Sequence, residues 1–359
     1  MYAFRSPFSG AYAPGDVQFL LSLVEVDYTP VAEKERLIQR GEKHYSDMLS
    51  EEPAPSAAHQ TIYRQAMAQF GPRLAGEVAA LALGLATQIS ARPLVLVSLV
   101  RGGVPLGVCL LHALRDLGIE AVHYGVSIIR DRGLDQAALD YIITRHGSEG
   151  AVFVDGWTGK GAISRELTRS LAHYPAFPRA PRLVVLADPG GCAWLSASGE
   201  DWLMPFGILG APVSGLVSRS LWRDSGFHGA MYCDHLQAYD VSQAFVADID
   251  ALRTAQTGPV TAARPDPEQR TMLRHLSQRV ITMLAETYQV DSLNRIKPGI
   301  AEATRAVMRR VPEHVLVSNR NDVDVALLVH LAESAGIQVE EAGDALGVYR
   351  AATIIRKVA

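Results

Sequence analysis

The sequence predicts an α/β protein with a doubly wound, mostly parallel sheet and a small additional C-terminal α/β domain. Four short apolar segments suit buried parallel strands, at 93–100, 121–129, 151–155 and 182–188. A glycine-containing turn and a helix-like segment follow the first and the third of them, which is typical of doubly wound domains. A second, shorter series of helix- and strand-like segments begins near residue 298. In such folds ligands bind at the carboxyl ends of the strands.

Composition narrows the class of protein. The chain has 359 residues and a net charge of −4, which argues against a surface devoted to nucleic acid. Three well-separated cysteines without a C-x-x-C pattern argue against a disulfide framework or a structural zinc site. No apolar run approaches the ~18 residues that span a bilayer, and no signal peptide is visible. We therefore expect a cytoplasmic protein that does not enter the membrane.

A stretch rich in Pro, Thr and alternating charge predicts a linker at 253–270. It separates a domain over 1–252 from a unit over 271–359. Within the larger domain we expect an N-terminal extension at 1–59. The segment 188–240, rich in Gly, Ser, Trp and Pro, is expected to form a hood over the site.

Two glycine loops carry the chemistry. In VFVDGWTGKGAI (152–163) an apolar strand ends in an acid, and a helix opens after three glycines. Glycines let backbone N–H groups approach an anion, and a helix N-terminus favours phosphate. The spacing is not that of a Walker A loop. In SLVRGGVPLG (98–107) an arginine and two glycines follow a buried strand. We predict that an anionic ligand contacts Arg101, Gly102, Gly103, Asp155, Gly156, Thr158, Gly159, Lys160 and Gly161.

The two loops resemble those of the type I phosphoribosyltransferase family. The resemblance implies that 101–103 hold pyrophosphate, and that 155–161 hold the 5-phosphate of phosphoribosyl pyrophosphate. Mg²⁺ would be bound through the substrate's pyrophosphate. The segment between the second and third strands would be a flexible catalytic flap, and the segment after the fourth strand would recognise a nucleobase. The resemblance thus adds Asp155, Arg130 and Arg132 as catalytic residues and Asp188, Ser214, Arg219 and His228 as hood residues.

Over most of its length the chain is similar to a bacterial phosphoribosyltransferase-like family associated with tellurium-resistance and stress gene clusters. The similarity rests on FSGAYAPGDVQFLL, on the RGG and DGWTGKG loops, and on NRIKPGIAEATRAVMRR (294–310). It implies a C-terminal Pelota-type, L7Ae-like RNA-binding domain. Residues 286–359 contain 9 basic and 10 acidic side chains, a balance of −1, which disfavours general RNA binding. A local face around Arg295, Lys297, Arg309 and Arg310 could contact a kinked RNA; protein interaction or homo-oligomer formation is the alternative.

These features predict a glycosyltransferase that moves a phosphoribosyl or related phosphosugar group between pyrophosphate and a base, making a nucleotide-like metabolite in a stress response. One departure stands out: Asp155 is followed by Gly156, where the family has a second acid. A non-catalytic nucleotide sensor or RNA-binding regulator is therefore an alternative. A further alternative is a cysteine protease, a label that some relatives bear, with Cys192 as nucleophile and His228 or His235 as base.

Overall fold

The computed structural model describes residues 7–357, so the first six residues of the predicted extension and the last two of the predicted C-terminal unit lie outside the described residues. In the described part of the large domain the strands are β1 (Gln18–Leu20), β2 (Ser22–Leu23), β3 (Leu94–Val100), β4 (Ala121–Ile129), β5 (Gly133–Leu134), β6 (Ala151–Val154), β7 (Leu183–Ala187), β8 (Leu195–Ser198) and β9 (Gly229–Ala230). The main sheet has the order β1-β4-β3-β6-β7-β8 with parallel neighbours, and β5 pairs antiparallel with β4. The predicted α/β class with a mostly parallel sheet is confirmed.

Helices cover both faces of this sheet. The helices of the large domain within residues 7–254 are α1 (Val31–Gln39), α2 (Ala57–Gln88), α3 (Val104–Asp116), α4 (Gln136–His146), α5 (Ala162–Leu171), α6 (Pro205–Ile208) and α7 (Ser242–Thr254). Helices α2 and α3 cover one face of the sheet, and α4 and α5 cover the other. Strand β3 alternates between two apolar clusters, as a strand buried on both faces must. Leu94 and Leu96 pack with residues of α2 and α3, whereas Val95, Val97 and Leu99 pack with residues of α4 and α5.

The C-terminal unit is a separate small α/β domain. It contains α8 (Pro267–Thr287), β10 (Ile296–Pro298), α9 (Ile300–Arg309), β11 (Pro312–Val317), α10 (Ala326–Ser334), β12 (Val339–Glu341) and β13 (Ala351–Ile355). Its sheet has the order β10-β13-β11-β12, in which β11 and β12 alone are parallel. Residues 255–266 carry no helix or strand, so helices occupy both ends of the predicted linker.

The two domains share one apolar core. Ile300 and Leu328 of the small domain belong to the same buried cluster as Trp202 and Phe206 of the large one. Polar contacts reinforce the interface: both carboxylate oxygens of Asp201 accept the Ile300 N–H at 3.1 Å. A large apolar interface of this kind holds two domains in one arrangement.

The segment 130–150, which the resemblance made a flexible flap, is mostly helical in the structure. Helix α4 begins at Asp135, whose carboxylate accepts the Ala138 N–H at 3.1 Å. Its apolar side, formed by Ala138, Leu139 and Ile142, packs into the core beneath the sheet. The capped, buried helix anchors most of this segment. None of the helices in residues 7–357 is long and apolar enough to cross a membrane.

Replacing Leu96 with Ala should lower the free energy of unfolding by about 2–5 kcal/mol, because its fully buried side chain would leave a cavity in the α2–α3 side of the core. Leu117→Ala is the matched control, since that side chain is 48% exposed, and it should change stability by less than about 0.5 kcal/mol. Urea denaturation followed by circular dichroism measures both. Equal effects of the two substitutions would contradict the assigned core.

Candidate functional site

A cavity of about 360 Å³ lies between the two domains, where β3, β4 and β6 end. Both domains and the N-terminal segment supply its walls. Two acidic side chains, Asp155 and Glu302, face a much larger set of basic ones. The basic side chains that line the cavity are Lys34, Arg101, Arg130, Lys160, Arg219, Lys297, Arg305, Arg309 and Arg310. This excess of cations makes the cavity a candidate site for an anionic ligand.

The loop after β3 places Arg101 deep inside the protein. The residue is only 5% exposed, pairs with Glu52 and donates to the Val217 carbonyl at 3.1 Å. Its Nε is buried without a hydrogen-bond partner. Burial opposes ionisation of Glu52, yet the guanidinium groups of Arg101 and Arg309 lower the pKa of Glu52 to about 2. Gly103 is required here, since a Cβ would overlap the Val154 carbonyl.

The loop after β6 forms the opposite wall. Asp155 accepts the Gly156 N–H at 2.8 Å, and burial raises the pKa of Asp155 to about 7. Burial lowers the pKa of Lys160 to about 7, with the Lys297 charge acting in the same direction. Lys160 Nζ donates to the carbonyl oxygens of Leu293 and, at 2.6 Å, Ile296. The lysine predicted to bind phosphate therefore also ties the loop to the C-terminal domain.

The C-terminal domain contributes residues to the cavity wall that were predicted to bind RNA or were not predicted as site residues at all. Arg305 lies over the Trp157 ring at 4.5 Å, and its Nε has no hydrogen-bond partner. Burial and the charge of Arg101 lower the pKa of Arg305 to about 10 and that of Arg309 to about 9. Burial also lowers the pKa of Lys297, to about 8. A bound anion would relieve this crowding of like charges. In the sequence these residues belong to the basic cluster in 294–310, where a local RNA-binding face was predicted.

Arg295, grouped with that cluster, points elsewhere: it pairs with Asp291 at 3.0 Å and Glu313 at 2.8 Å. The predicted RNA face is thus divided, since Lys297, Arg309 and Arg310 line the interdomain cavity. The face is divided because α9 packs against the large domain, which turns part of the cluster towards the cavity.

The N-terminal segment closes the cavity. The Tyr45 hydroxyl accepts the Arg130 N–H at 2.8 Å, and the guanidinium carbons of Arg130 and Arg219 each lie 5.4 Å from the Tyr45 ring centre. Arg310 donates to Glu35 at 2.7 Å, which joins this segment to α9. No role of residues 1–59 had been predicted from the sequence.

The structure brings together most of the predicted loop residues but not most of the predicted hood. Gly102, Asp155, Thr158, Gly159 and Gly161 line the cavity with the cations named above. Gly103 and Gly156 lie next to it and make backbone hydrogen bonds to Leu99 and Leu186. Of the hood residues, only Arg219 reaches it, and its guanidinium donates to the Tyr45 carbonyl at 2.7 Å.

The other predicted residues satisfy polar groups away from the cavity. Arg132 pairs with Asp47 and lies 5.0 Å from the Trp222 ring centre. The carboxylate of Asp188 accepts the N–H groups of Cys192 at 2.8 Å and Ala193 at 3.0 Å. Ser214 donates to the Gly210 carbonyl at 2.9 Å, and His228 is hydrogen-bonded to Ser127 at 2.7 Å. These contacts give each side chain a structural role in the described chain.

The three thiols occupy different surroundings. Cys109 is buried in the core, where burial raises its pKa well above the usual value. Burial also raises the pKa of Cys192 and of Cys233 to about 11. Cys233 lines a pocket of about 40 Å³ beside the cavity, which also contains Glu52, Arg101 and Arg309. Among residues 7–357 the thiols of Cys192 and Cys233 have no hydrogen bond to a histidine.

Within the described part of the chain no group of three or more His, Cys, Asp or Glu residues could hold a metal ion. Two carboxylates opposite nine cations are a poor donor set for a resident Mg²⁺, which prefers oxygen ligands of negative charge. The expected Mg²⁺ stays a prediction, and this set of residues does not fit a metal that binds on its own.

Fold and site together define a two-domain α/β protein with a cation-lined cavity at the domain junction. The chain belongs to the family described as tellurite-like stress resistance cysteine protease StiP, whose model matches residues 10–250. A PELOTA RNA binding domain model matches residues 275–357. The protein named Cysteine protease StiP from Acinetobacter baylyi is 48% identical over 368 residues, covering 99% of this chain and 96% of that protein. The expected stress-resistance family and the Pelota-type domain are confirmed.

Two solved structures show weak similarity. One, described as the analysis of an invariant aspartic acid in HPRTs in an asparagine mutant, is 14% identical, covers 40% of this chain and 79% of that one, and has a TM-score of 0.22. The other, an archaeal alanine:glyoxylate aminotransferase, is 12% identical, covers 90% and 89%, and has a TM-score of 0.21. TM-scores this low support no statement about fold or activity.

The prediction of a phosphoribosyltransferase is wrong by these comparisons. The family and its 48% identical member are named for a cysteine protease, which is a hydrolase and not a glycosyltransferase. The glycine loops do not identify an activity, because strand-to-helix anion loops recur on α/β folds of unrelated activity. The phosphoribosyltransferase-like part of the resemblance has no support, whereas the family itself does.

The thiols should react slowly with iodoacetamide at neutral pH. With pKa values raised by burial, few are thiolate, so alkylation should be about 10-fold or more slower than that of free cysteine. Cys192 should react first, because it is half-buried whereas Cys109 and Cys233 are buried. Mass spectrometry of time points gives the order. A thiol that reacts faster than free cysteine would contradict these environments.

Proposed function

We propose that the interdomain cavity binds a small phosphate-bearing polyanion. The observation that carries this proposal is the set of nine cations around about 360 Å³, with only two carboxylates among them. Burial lowers the pKa values of Lys160, Lys297 and Arg309, which disfavours their charged forms. A bound anion would stabilise these charged forms through charge-assisted hydrogen bonds. The Nε atoms of Arg101 and Arg305 are buried without a hydrogen-bond partner in the protein, which leaves two donors of the cavity wall unsatisfied.

The glycine loops add backbone donors to this site. The donors are the N–H groups of Gly159 and Gly161, which line the cavity just before α5, where the helix N-terminus favours a phosphate. The Thr158 N–H already donates to the Ala187 carbonyl at 3.0 Å. Phosphoribosyl pyrophosphate is one molecule of this class, and Mg²⁺ would enter as its complex. The proposed function is binding of the anion, without transfer of a sugar.

A second candidate function is proteolysis by a thiol, and membership of the StiP family supports it. Cys192 was the nucleophile expected from the sequence, but Cys233 is the better candidate by position. Cys233 faces a pocket that adjoins the cavity, and the charges of Arg101 and Arg309 oppose the rise of its pKa. Burial still raises the pKa of Cys233 to about 11, and the charges of Glu52 and Asp234 act in the same direction as burial. Only the small fraction present as thiolate at neutral pH is the reactive form. An anion bound by the same two arginines would act directly on this thiol's environment.

Replacing Lys297 with Ala should weaken the binding of inorganic pyrophosphate about 10-fold, because one cavity cation is lost. Isothermal titration calorimetry at fixed ionic strength measures the affinity. Lys357→Ala is the charge-matched control: that lysine is exposed and pairs with Asp291 outside the cavity. Absence of pyrophosphate binding to the unaltered protein, or equal losses in both variants, would refute the site.

Cys233→Ser should abolish hydrolysis of a denatured protein substrate such as casein, if the thiol is the nucleophile. Cys192→Ser and Cys109→Ser are the controls, because neither thiol faces the pocket. Release of acid-soluble peptides measures the activity. Loss of activity in Cys192→Ser alone would move the nucleophile to Cys192, and lack of hydrolysis by the unaltered protein would end the proteolytic proposal.

A further inference from the structure

The small domain presents its cations in an unusual place. Outside the cavity several of them pair with carboxylates within the domain, as Arg320 does with Glu333 and Arg350 with Asp322 at 3.1 Å. Its largest group of cations lines the cavity instead: Lys297, Arg305, Arg309 and Arg310. Because phosphate contacts dominate nucleic-acid affinity, this group is the part of the domain best suited to RNA.

These cations face the cavity and not an open surface along which RNA could lie. The domains share one apolar core through Ile300, Leu328, Trp202 and Phe206, so α9 stays turned towards the cavity. A cavity of about 360 Å³ falls in the range of small-molecule sites and admits a single nucleotide but not a duplex. An RNA strand therefore reaches α9 only with an end inserted.

The cavity also offers surfaces for a base. Trp157 and Tyr45 line it and are both half-buried. Cations already lie over both rings, Arg305 at 4.5 Å from Trp157 and Arg130 at 5.4 Å from Tyr45. Aromatic side chains beside arginines are the elements with which proteins hold unpaired bases.

We propose that the polyanion bound between the two domains is the phosphorylated end of a single-stranded RNA, with its terminal phosphate among Arg101, Arg305 and Arg309. A terminal phosphate monoester carries about −2 charge, more than an internal phosphodiester, which suits a site with so many cations. The inference rests on the proposed function, since it identifies the source of the phosphate in that same cavity.

Fluorescence anisotropy with the full chain tests this proposal. The probes are short single-stranded RNAs of one sequence carrying a 5′-phosphate, a 3′-phosphate or only hydroxyl ends. One of the phosphorylated RNAs should bind at least about 10-fold tighter than the hydroxyl form, and inorganic pyrophosphate should displace it. Equal binding of all three RNAs, or equal binding of DNA with the same phosphorylated end, would overturn the proposal.

Variants locate the site. Arg305→Ala should remove the preference for the phosphorylated end, and Arg309→Ala should do the same if the first variant fails to fold. Arg279→Ala is the matched control, since Arg279 is an exposed cation of the same domain outside the cavity, and it should keep the preference. Thermal melting verifies that each variant is folded. A preference that survives in folded Arg305→Ala and Arg309→Ala would overturn the assignment.

Calorimetry with pyrophosphate separates the two proposals. If pyrophosphate binds but no phosphorylated RNA does, the cavity takes a free small molecule and the RNA inference alone fails. If pyrophosphate does not bind either, the proposed function fails with it.

Discussion

The site depends on the packing of one helix, α9, against the large domain. Ile300, Ala303 and Ala306 form its buried side, and Asp201 of the large domain accepts the first N–H of the helix. Residues three and four apart lie on one side of a helix, so the same packing directs Arg305 and Arg309 into the cavity. Without this apolar interface the cations of the two domains would not meet, because their charges repel.

The charges in the cavity are only partly balanced by the protein. Glu52 forms ion pairs with both Arg101 and Arg309, and Glu35 forms one with Arg310. Both acids come from the N-terminal segment, which explains why a turn-rich, polar piece of chain is held against the site. Cys233 lies beside Glu52, so the state of the cavity and the environment of this thiol are physically linked. That link joins the proposed anion site to the family's cysteine chemistry.

The strands, the glycine loops and the hood show which features of the protein could be predicted from its sequence. The strand end at Val100 was predicted correctly, and the strand predicted at 151–155 ends one residue earlier, at Val154. Both strands were found because buried parallel strands have a strong apolar signal and glycine turns follow them. The activity inferred from those loops was wrong, since an anion loop defines a binding geometry and not a reaction. The hood was misjudged for another reason: Asp188, Ser214 and His228 are polar residues near strand ends that satisfy buried groups instead of facing the cavity.

The sequence by itself determined the parallel sheet and the C-terminal α/β unit, which follow from local patterns of apolar residues and glycine, and the family, which follows from its motifs. Only the tertiary structure decided that Arg305, Arg309 and Lys297 line one cavity with loops about 140 to 210 residues away in the chain. It also decided that Lys160 binds the carbonyls of the second domain. The physical reason is that packing between domains sets which charged faces meet, and no local pattern records it.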